Sequence, residues 1–395
     1  MKHFACEIND CIHPAICCIG YNRSLSMQRL LDSIGCAYIP YDDVTLIVSI
    51  DESDKSDEVE TVARGFVWTH GEKVIRRYEK RQGVINHTLQ CGNLTNIYGA
   101  IIYLEDDIVV APGFYCYTVA ALKYYQNEKE VFGIGLYSQE WLSTYECKFV
   151  PAYNGVDVYF YNGDVSWGQC WIKEQWNKFI EWYEIRRDKF KFDDKKIPYA
   201  VQRWGQQSWS RYVCIYMIEN YKFYAVPYYS YTTCMSEGGV HTATSSDSLQ
   251  VRMAEAKDRE FVFRDFMDCI KYDAYFDRMD AFILTVCGIP FKDICIDLNG
   301  AKHDWSGYKY LLSVKELDYE KVYSFGINYV PIEMNIMLHN TGTGINLYKI
   351  DDEKNPWQKE KRYISIERIY HDIGRYSLKT LITVLKKKIK NRFRS

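Results

Sequence analysis

The sequence contains no apolar run long enough to span a bilayer, which excludes an ordinary membrane-spanning helix. No Cys-x-x-Cys pair is present, so nothing has the spacing of a structural zinc site. Met1 to Cys11 carries no apolar signal-peptide core, and the 14 cysteines follow no framework spacing. They are therefore expected as free thiols in a reducing, cytoplasmic setting. There is also no excess of positive charge. Lys and Arg total 49 against 52 Asp and Glu, a formal charge of -3, which excludes a broadly basic nucleic-acid binder. No internal repeat or low-complexity tract occurs. What is present is ample: 395 residues, 47% hydrophobic and 16% aromatic, enough for a sizeable core and two domains or one with an appendage.

The central stretch is Ile101-Ile102-Tyr103-Leu104-Glu105-Asp106-Asp107-Ile108-Val109-Val110, broken by Ala111-Pro112-Gly113. Strand length and β-branched content predict a buried strand of a largely parallel sheet. Its acids would stand at the carboxyl edge, where open α/β sheets place their ligands. Adjacent carboxylates repel, and a hard cation holding a diphosphate would neutralise them. A solvated acidic turn is the competing reading.

Around this stretch, strands alternate with helices. Pro14 to Gly20 reads as a buried strand, Tyr21-Asn22-Arg23-Ser24 as a polar turn, and Met27, Leu30, Leu31 and Ile34 as one helix face. The turn offers backbone N–H groups and Arg23 to a nucleotide, or is an ordinary βα loop. Val44 to Ile50 is a second strand ending at Asp51, which could contact a base or ribose. Asp57-x-x-Glu60 reads as helix capping. Lys73 to Arg77 is a third strand, followed by Lys80 and Arg81, which face a diphosphate or form a solvated basic turn. Helices are expected at Val84–Leu94, Phe114–Tyr125, Lys173–Tyr183 and from about Gln202 to Glu219. Trp176 reads as a packing anchor. Between these lie Asp164-Val165-Ser166-Trp167-Gly168 and a Gly-rich loop, Ser236 to Thr242, with one histidine.

Taken in order, these pieces resemble a glycosyltransferase of the GT-A fold, in detail N-acetylglucosaminyltransferase I and its bacterial surface-polysaccharide relatives. The pieces are the first strand-turn-helix, Leu104 to Asp107 followed by Val109-Val110-Ala111-Pro112, Asp164 to Gly168 with the Trp-bearing helix behind, and Gly238-Gly239-Val240-His241. The resemblance covers roughly Pro14 to Thr242. It implies an α/β GT-A fold, Rossmann-like with a mostly parallel sheet flanked by helices, and sugar transfer from a nucleotide-diphosphate donor. It implies Mn2+ or Mg2+ held by Asp107, with His241 approaching the ion. Tyr21, Asn22, Arg23, Asp51, Arg81, Glu105 and Asp106 would border the donor. One departure stands out. The position of the resembling enzymes' general base reads Trp204-Gly205-Gln206-Gln207-Ser208-Trp209, and Gln207 is no useful proton acceptor. Asp164 and Glu237 are the alternative candidates, unless the transfer retains configuration and needs no such base.

Beyond residue 245, Leu249 to Tyr272 reads as an exposed charged helix. Ala281 to Pro290 reads as a buried element, Asp293 to Leu298 as a strand, and Val322 to Leu347 as β structure. The expected division is 1–245 catalytic, 246–365 an α+β appendage and 366–395 a tail. From Arg375 to Ser395 there are eight basic residues and no acid, with Leu378, Leu381, Ile382, Leu385 and Ile389 at helical spacing. That pattern fits a helix lying on an anionic inner-membrane leaflet, or one docked on the protein with a solvated basic end. The expected partners are a nucleotide sugar, a glycan or lipid-linked acceptor and that membrane surface, with no nucleic acid. The expected role is capsule, lipopolysaccharide or O-antigen assembly. A nucleotidyltransferase is the first rival, but Tyr21 to Ser24 lacks its Gly-rich phosphate loop. A non-catalytic sugar-binding scaffold is the second, favoured by Gln206-Gln207.

Overall fold

The computed structural model describes residues 12–188, 196–205, 207–235, 249–280, 285–352, 369 and 373–392. The chain forms two compact units. One comprises residues 1–140 and 151–280, the other 141–150 and 281–395.

The first unit is built by alternation. Strands β1 (Ala15–Gly20), β2 (Leu46–Ile50), β3 (Lys73–Arg77) and β4 (Ala100–Glu105) are separated by helices α1 (Ser24–Gly35), α2 (Ser56–Gly65), α3 (Gly83–Gly92) and the short α4 (Thr95–Tyr98). Then come β5 (Ile108–Val110), α5 (Phe114–Tyr125) and β6 (Val131–Gly135), followed in the second unit by the hairpin β7 (Trp141–Leu142) and β8 (Cys147–Lys148). Back in the first unit, β9 (Val158–Tyr161) and β10 (Gln169–Ile172) lead to α6 (Lys173–Arg186), α7 (Tyr199–Arg203), α8 (Trp209–Asn220), β11 (Phe223–Pro227), β12 (Thr232–Cys234) and β13 (Lys271–Tyr272). Nine strands form one sheet in the order β13-β9-β11-β6-β10-β4-β1-β2-β3. β4, β1, β2 and β3 run parallel, and β10 lies antiparallel between β4 and β6. This mixed α/β architecture, a large and mostly parallel sheet flanked by helices, is the one expected.

The inner parallel strands β1, β2 and β4 are apolar because helices cover the sheet, whereas the edge strand β3 carries Lys73, Arg76 and Arg77. β1 is buried throughout, and Cys17 and Cys18 serve in it as small buried hydrophobes. The α1 face of Met27, Leu30, Leu31 and Ile34 packs onto the same core. Trp176 is fully buried, stacks on Trp171 with ring centroids 4.3 Å apart, and donates its indole N–H to Asn93 at 2.9 Å.

Three sequence expectations are corrected. Residues 249–280 contain no α-helix. Among them Lys271–Tyr272 adds an edge strand to β9, and Phe261, Phe263 and Phe266 join the core, so aromatic burial outweighs the charged pattern. The first unit accordingly runs to Asp280. Asp57 and Glu60 do not cap α2, because both accept from Arg77 on β3, Glu60 at 3.0 Å. The helix opening expected near Gln202 is divided at Trp204–Ser208 into α7 and α8.

In the second unit, β16 (Ile294–Asp297), β17 (Tyr310–Ser313), β18 (Glu320–Phe325) and β19 (Ile345–Lys349) form a sheet ordered β16-β17-β19-β18. The hairpin β14 (Thr285–Val286) and β15 (Ile289–Pro290) precedes it, and Val286, Ile296, Leu312, Phe325, Ile336 and Leu347 make its core. Buried Asp297 accepts from Ala301 N at 2.7 Å, Lys302 N at 2.9 Å and Ser313 Oγ at 2.8 Å. Residues 281–284 lie outside the described residues.

The α3–α6 packing gives a direct test. A Cβ on Gly92 would sit 1.9 Å from Trp176 Cζ2. Gly92→Ala should therefore destabilise the protein by about 1–3 kcal/mol, read as a lower urea midpoint.

Candidate active site

Strand β4 carries Glu105 to the carboxyl edge, and Asp106 and Asp107 form the turn into β5. The turn is pinned from behind. β5 pairs antiparallel with β12, and Met235 N donates to Asp107 O at 2.8 Å. Arg23, the residue before α1, meets the triplet from the end of β1. Its Nε donates to Asp106 Oδ2 at 3.2 Å, its NH2 to Asp106 Oδ1 as well, and NH2 to Asp107 Oδ2 at 3.2 Å. Burial works against the guanidinium charge, but Asp106 and then Asp107 outweigh it and raise its pKa. One cation thus faces three acids.

Glu105 shows the consequence. Burial, then the charges of Asp107 and Asp106, push its carboxyl up to about 8, while the Trp209 indole N–H and Arg23 pull the other way. That shift costs the ionised form no more than about 5 kcal/mol, and less where solvent reaches the cleft. Burial of Ile101, Ile102, Tyr103 and Leu104 contributes roughly 1.5–3 kcal/mol each. Burial of the strand therefore offsets much of that cost.

Asp107 Oδ1 is buried and has no hydrogen-bond partner among the described residues. A lone buried carboxylate oxygen beside two further carboxyls suits a hard divalent cation. No group of three His, Cys, Asp or Glu among the described residues is arranged to hold an ion. A cation here would draw most of its ligands from elsewhere, as Mg2+ and Mn2+ do when they bridge one or two carboxylates to phosphate oxygens and water.

Asp51, buried at the end of β2, is committed to backbone amides. Oδ1 accepts from Glu52 N at 2.9 Å and Gln82 N at 2.7 Å, and Oδ2 from Gly83 N at 3.0 Å. It fixes the loop entering α3, where Gly83 has φ +74°. Arg81, in that loop, places its guanidinium 5.0 Å from the centre of the Tyr21 ring. Tyr21 is held in turn by Ser53 Oγ, which donates to its carbonyl at 2.8 Å. Asn22 is half-buried in the same β1–α1 turn.

Asp164 lies between β9 and β10. Burial raises its pKa to about 6, opposed by bonds from Ser166 Oγ, Ser210 Oγ and Val165 N–H. The two serine hydroxyls are 2.9 Å apart, and Asp164 Oδ1 has no partner among the described residues. Gly168 closes the following turn at φ +105°, and Trp167 O accepts from Thr232 Oγ1 at 2.6 Å. The β5–β12 ribbon therefore ties this turn to the acidic triplet. The start of α8 acts on both: Trp209 favours the ionised form of Glu105, and the next residue, Ser210, that of Asp164, its hydroxyl 2.9 Å from Ser166 Oγ. A helix N-terminus favours negative charge at both contacts.

The structure thus places Tyr21, Arg23, Asp51, Arg81, Glu105, Asp106 and Asp107 at the ends of neighbouring strands, with the Asp164 turn joined to them through the β5–β12 ribbon. Gln207 is exposed in the turn before α8. Glu237 and His241, like Gln206, lie outside the described residues. Trp209, Ser166 and Ser210 were not singled out from the sequence. Their signal was their proximity to Asp164 and to the Gln206-Gln207 turn, but hydroxyls and indoles are too common to mark a site before the fold joins them.

No family model and no curated protein matches the sequence. Solved structures similar to it include a mannosyltransferase from Pyrobaculum calidifontis in complex with GDP-Man and Mn2+, at 12% identity, 44% of this chain, 47% of that one and TM-score 0.31. Another is GalNAc-T7 with UDP, GalNAc and Mn2+, at 12% identity, 56% of this chain, 43% of that one and TM-score 0.39. A third is a cytidylyltransferase from Leptospira borgpetersenii, at 10% identity, 45% of this chain, 74% of that one and TM-score 0.28. The chain spans less than half the length of the first two. At these scores the similarity adds nothing to what the topology itself shows.

The Asp164 shift has a stability consequence. Its folded pKa lies above its unfolded value, so the folded state holds the proton longer and stability falls as pH rises from about 4 to about 6. Asp164→Asn should remove this contribution, no more than about 3 kcal/mol, and flatten the thermal midpoint across that window relative to wild type.

Proposed function

We propose that this chain is a metal-dependent glycosyltransferase that moves a hexosyl or N-acetylhexosaminyl group from a nucleotide-diphosphate donor to a glycan or lipid-linked acceptor. The observation that carries the reading is the buried Oδ1 of Asp107, without a partner among the described residues, at the sheet's carboxyl edge beside two further acids. In this reading Asp107 holds Mn2+ or Mg2+ against the donor diphosphate. When bound, that cation offsets the charge that grows on the departing nucleoside diphosphate.

The remaining roles belong to the chain's own side chains. Arg23 orients Asp106 and Asp107 and reduces their mutual repulsion. Tyr21, Asn22 and Arg81 border the nucleotide, and Asp51 holds the Gln82–Gly83 backbone that frames it. Trp209 orients Glu105. Asp164 accepts the acceptor hydroxyl's proton. With its pKa near 6 it is ionised at neutral pH yet basic enough to take a proton, a balance an ordinary carboxylate lacks. His241 as an additional metal ligand and Glu237 as an alternative base remain part of the proposal, and Gln207 borders the acceptor. The resemblance in motif order further suggests assembly of a bacterial surface polysaccharide on the cytoplasmic side of the inner membrane.

Nucleotide release from a panel of nucleotide sugars, with and without Mn2+, tests this. Wild type should release nucleotide only with the metal. Asp107→Ala should lose about a hundredfold or more with an unchanged thermal midpoint. Undiminished release by that variant, or release unaffected by chelator, would overturn the metal role. Asp164→Asn should lower transfer to acceptor by about a hundredfold while leaving donor binding intact. Saturable donor binding with no release under any condition would instead indicate a scaffold.

A further inference from the structure

Residues Leu378–Arg392 form a helix that belongs to none of the described cores. Its start is fixed locally, with Thr380 N donating to Ser377 Oγ at 3.2 Å. Leu378, Leu381, Ile382, Leu385 and Ile389 recur at three- and four-residue steps and so share one side. That side is uncovered: Leu378 is 73% exposed, Ile382 45%, Leu385 58% and Ile389 49%. At 100° per residue, Lys386 and Lys388 flank the apolar stripe and Lys387 stands opposite it. No acid occurs anywhere from Ile373 to Ser395.

This charge pattern decides among occupants. A second copy of the helix would bring lysine rows against lysine rows with nothing to neutralise them. A helix of about 22 Å is too short to cross a hydrocarbon core of about 30 Å, and none of the described helices is long and apolar enough to do so. An apolar stripe flanked by lysines matches an anionic interface: the stripe enters the acyl boundary while the lysine stems extend toward the headgroups. We infer that Leu378–Arg392 is a docking surface for an anionic lipid bilayer. The inference stands independently of the chemistry at Asp107.

The test uses the full chain and vesicles of phosphatidylcholine, alone or mixed with phosphatidylglycerol, at low and high salt. Sedimentation should show binding to the mixed vesicles, weakened by salt, and little to the neutral ones. Each lysine near such a surface shifts partitioning roughly fivefold, so the triple variant Lys386→Glu, Lys387→Glu, Lys388→Glu should lose about a hundredfold or more. The double variant Ile382→Asp, Leu385→Asp should abolish binding while its net basic charge persists. Both variants should melt like wild type, since these side chains support no described core. Equal binding to neutral vesicles, or binding unchanged in both variants, would overturn the inference. So would a dimer in solution that depends on Ile382 and Leu385 and leaves vesicles unbound.

Discussion

Three carboxyl groups in consecutive positions at the end of one buried strand are the constraint on which the site depends. Arg23 supplies a single positive charge against them, shared between Asp106 and Asp107. The deficit appears in two places, as a Glu105 carboxyl that resists ionisation and as an Asp107 oxygen with no described partner. A polypeptide of marginal stability does not retain such an arrangement through the strand alone. The surrounding elements hold it: the β5–β12 ribbon behind Asp107, Trp209 above Glu105, and Arg23 from the neighbouring βα turn.

The same supports extend to Asp164. Two consecutive residues of α8 favour the ionised forms of two carboxyls that follow different strands, and Thr232 joins the Asp164 turn to the ribbon. The result is a pair of acid sites with different surroundings. One is crowded with like charge. The other is solitary, half-buried and hydroxyl-bonded. That contrast is how a protein separates a cation-binding task from a proton-accepting one using the same side-chain chemistry.

Much of this was legible in the sequence, for a physical reason. Buried parallel strands are written as unbroken apolar runs, so the strand read at Pro14–Gly20 and the run entering the acids from Ile101 fall close to β1 and β4, and the expected strand Lys73–Arg77 and helix Phe114–Tyr125 are both present. What periodicity does not encode is which distant side chains meet. Asp57 and Glu60 have the spacing of a helix cap, yet the neighbouring strand offers Arg77, and an ion pair with it wins. Asp51 looked free for a ligand, but the backbone amides of Gln82 and Gly83, in a loop 31 and 32 residues away, and that of the adjacent Glu52 occupy it. Leu249–Tyr272 carried a charged pattern that says helix only if its aromatics stay outside, and Phe261, Phe263 and Phe266 go inside. Trp209 and Ser210 became visible as site residues only once α8 was set against β4.

The central claim is that Asp107 holds a divalent cation against a diphosphate. Electron paramagnetic resonance of Mn2+ with the protein and a nucleoside diphosphate measures this directly. The account predicts a bound Mn2+ signal with phosphorus coupling in wild type and its loss in Asp107→Asn, which keeps the side chain's shape but not its charge. A coupled signal of equal intensity in Asp107→Asn would contradict it.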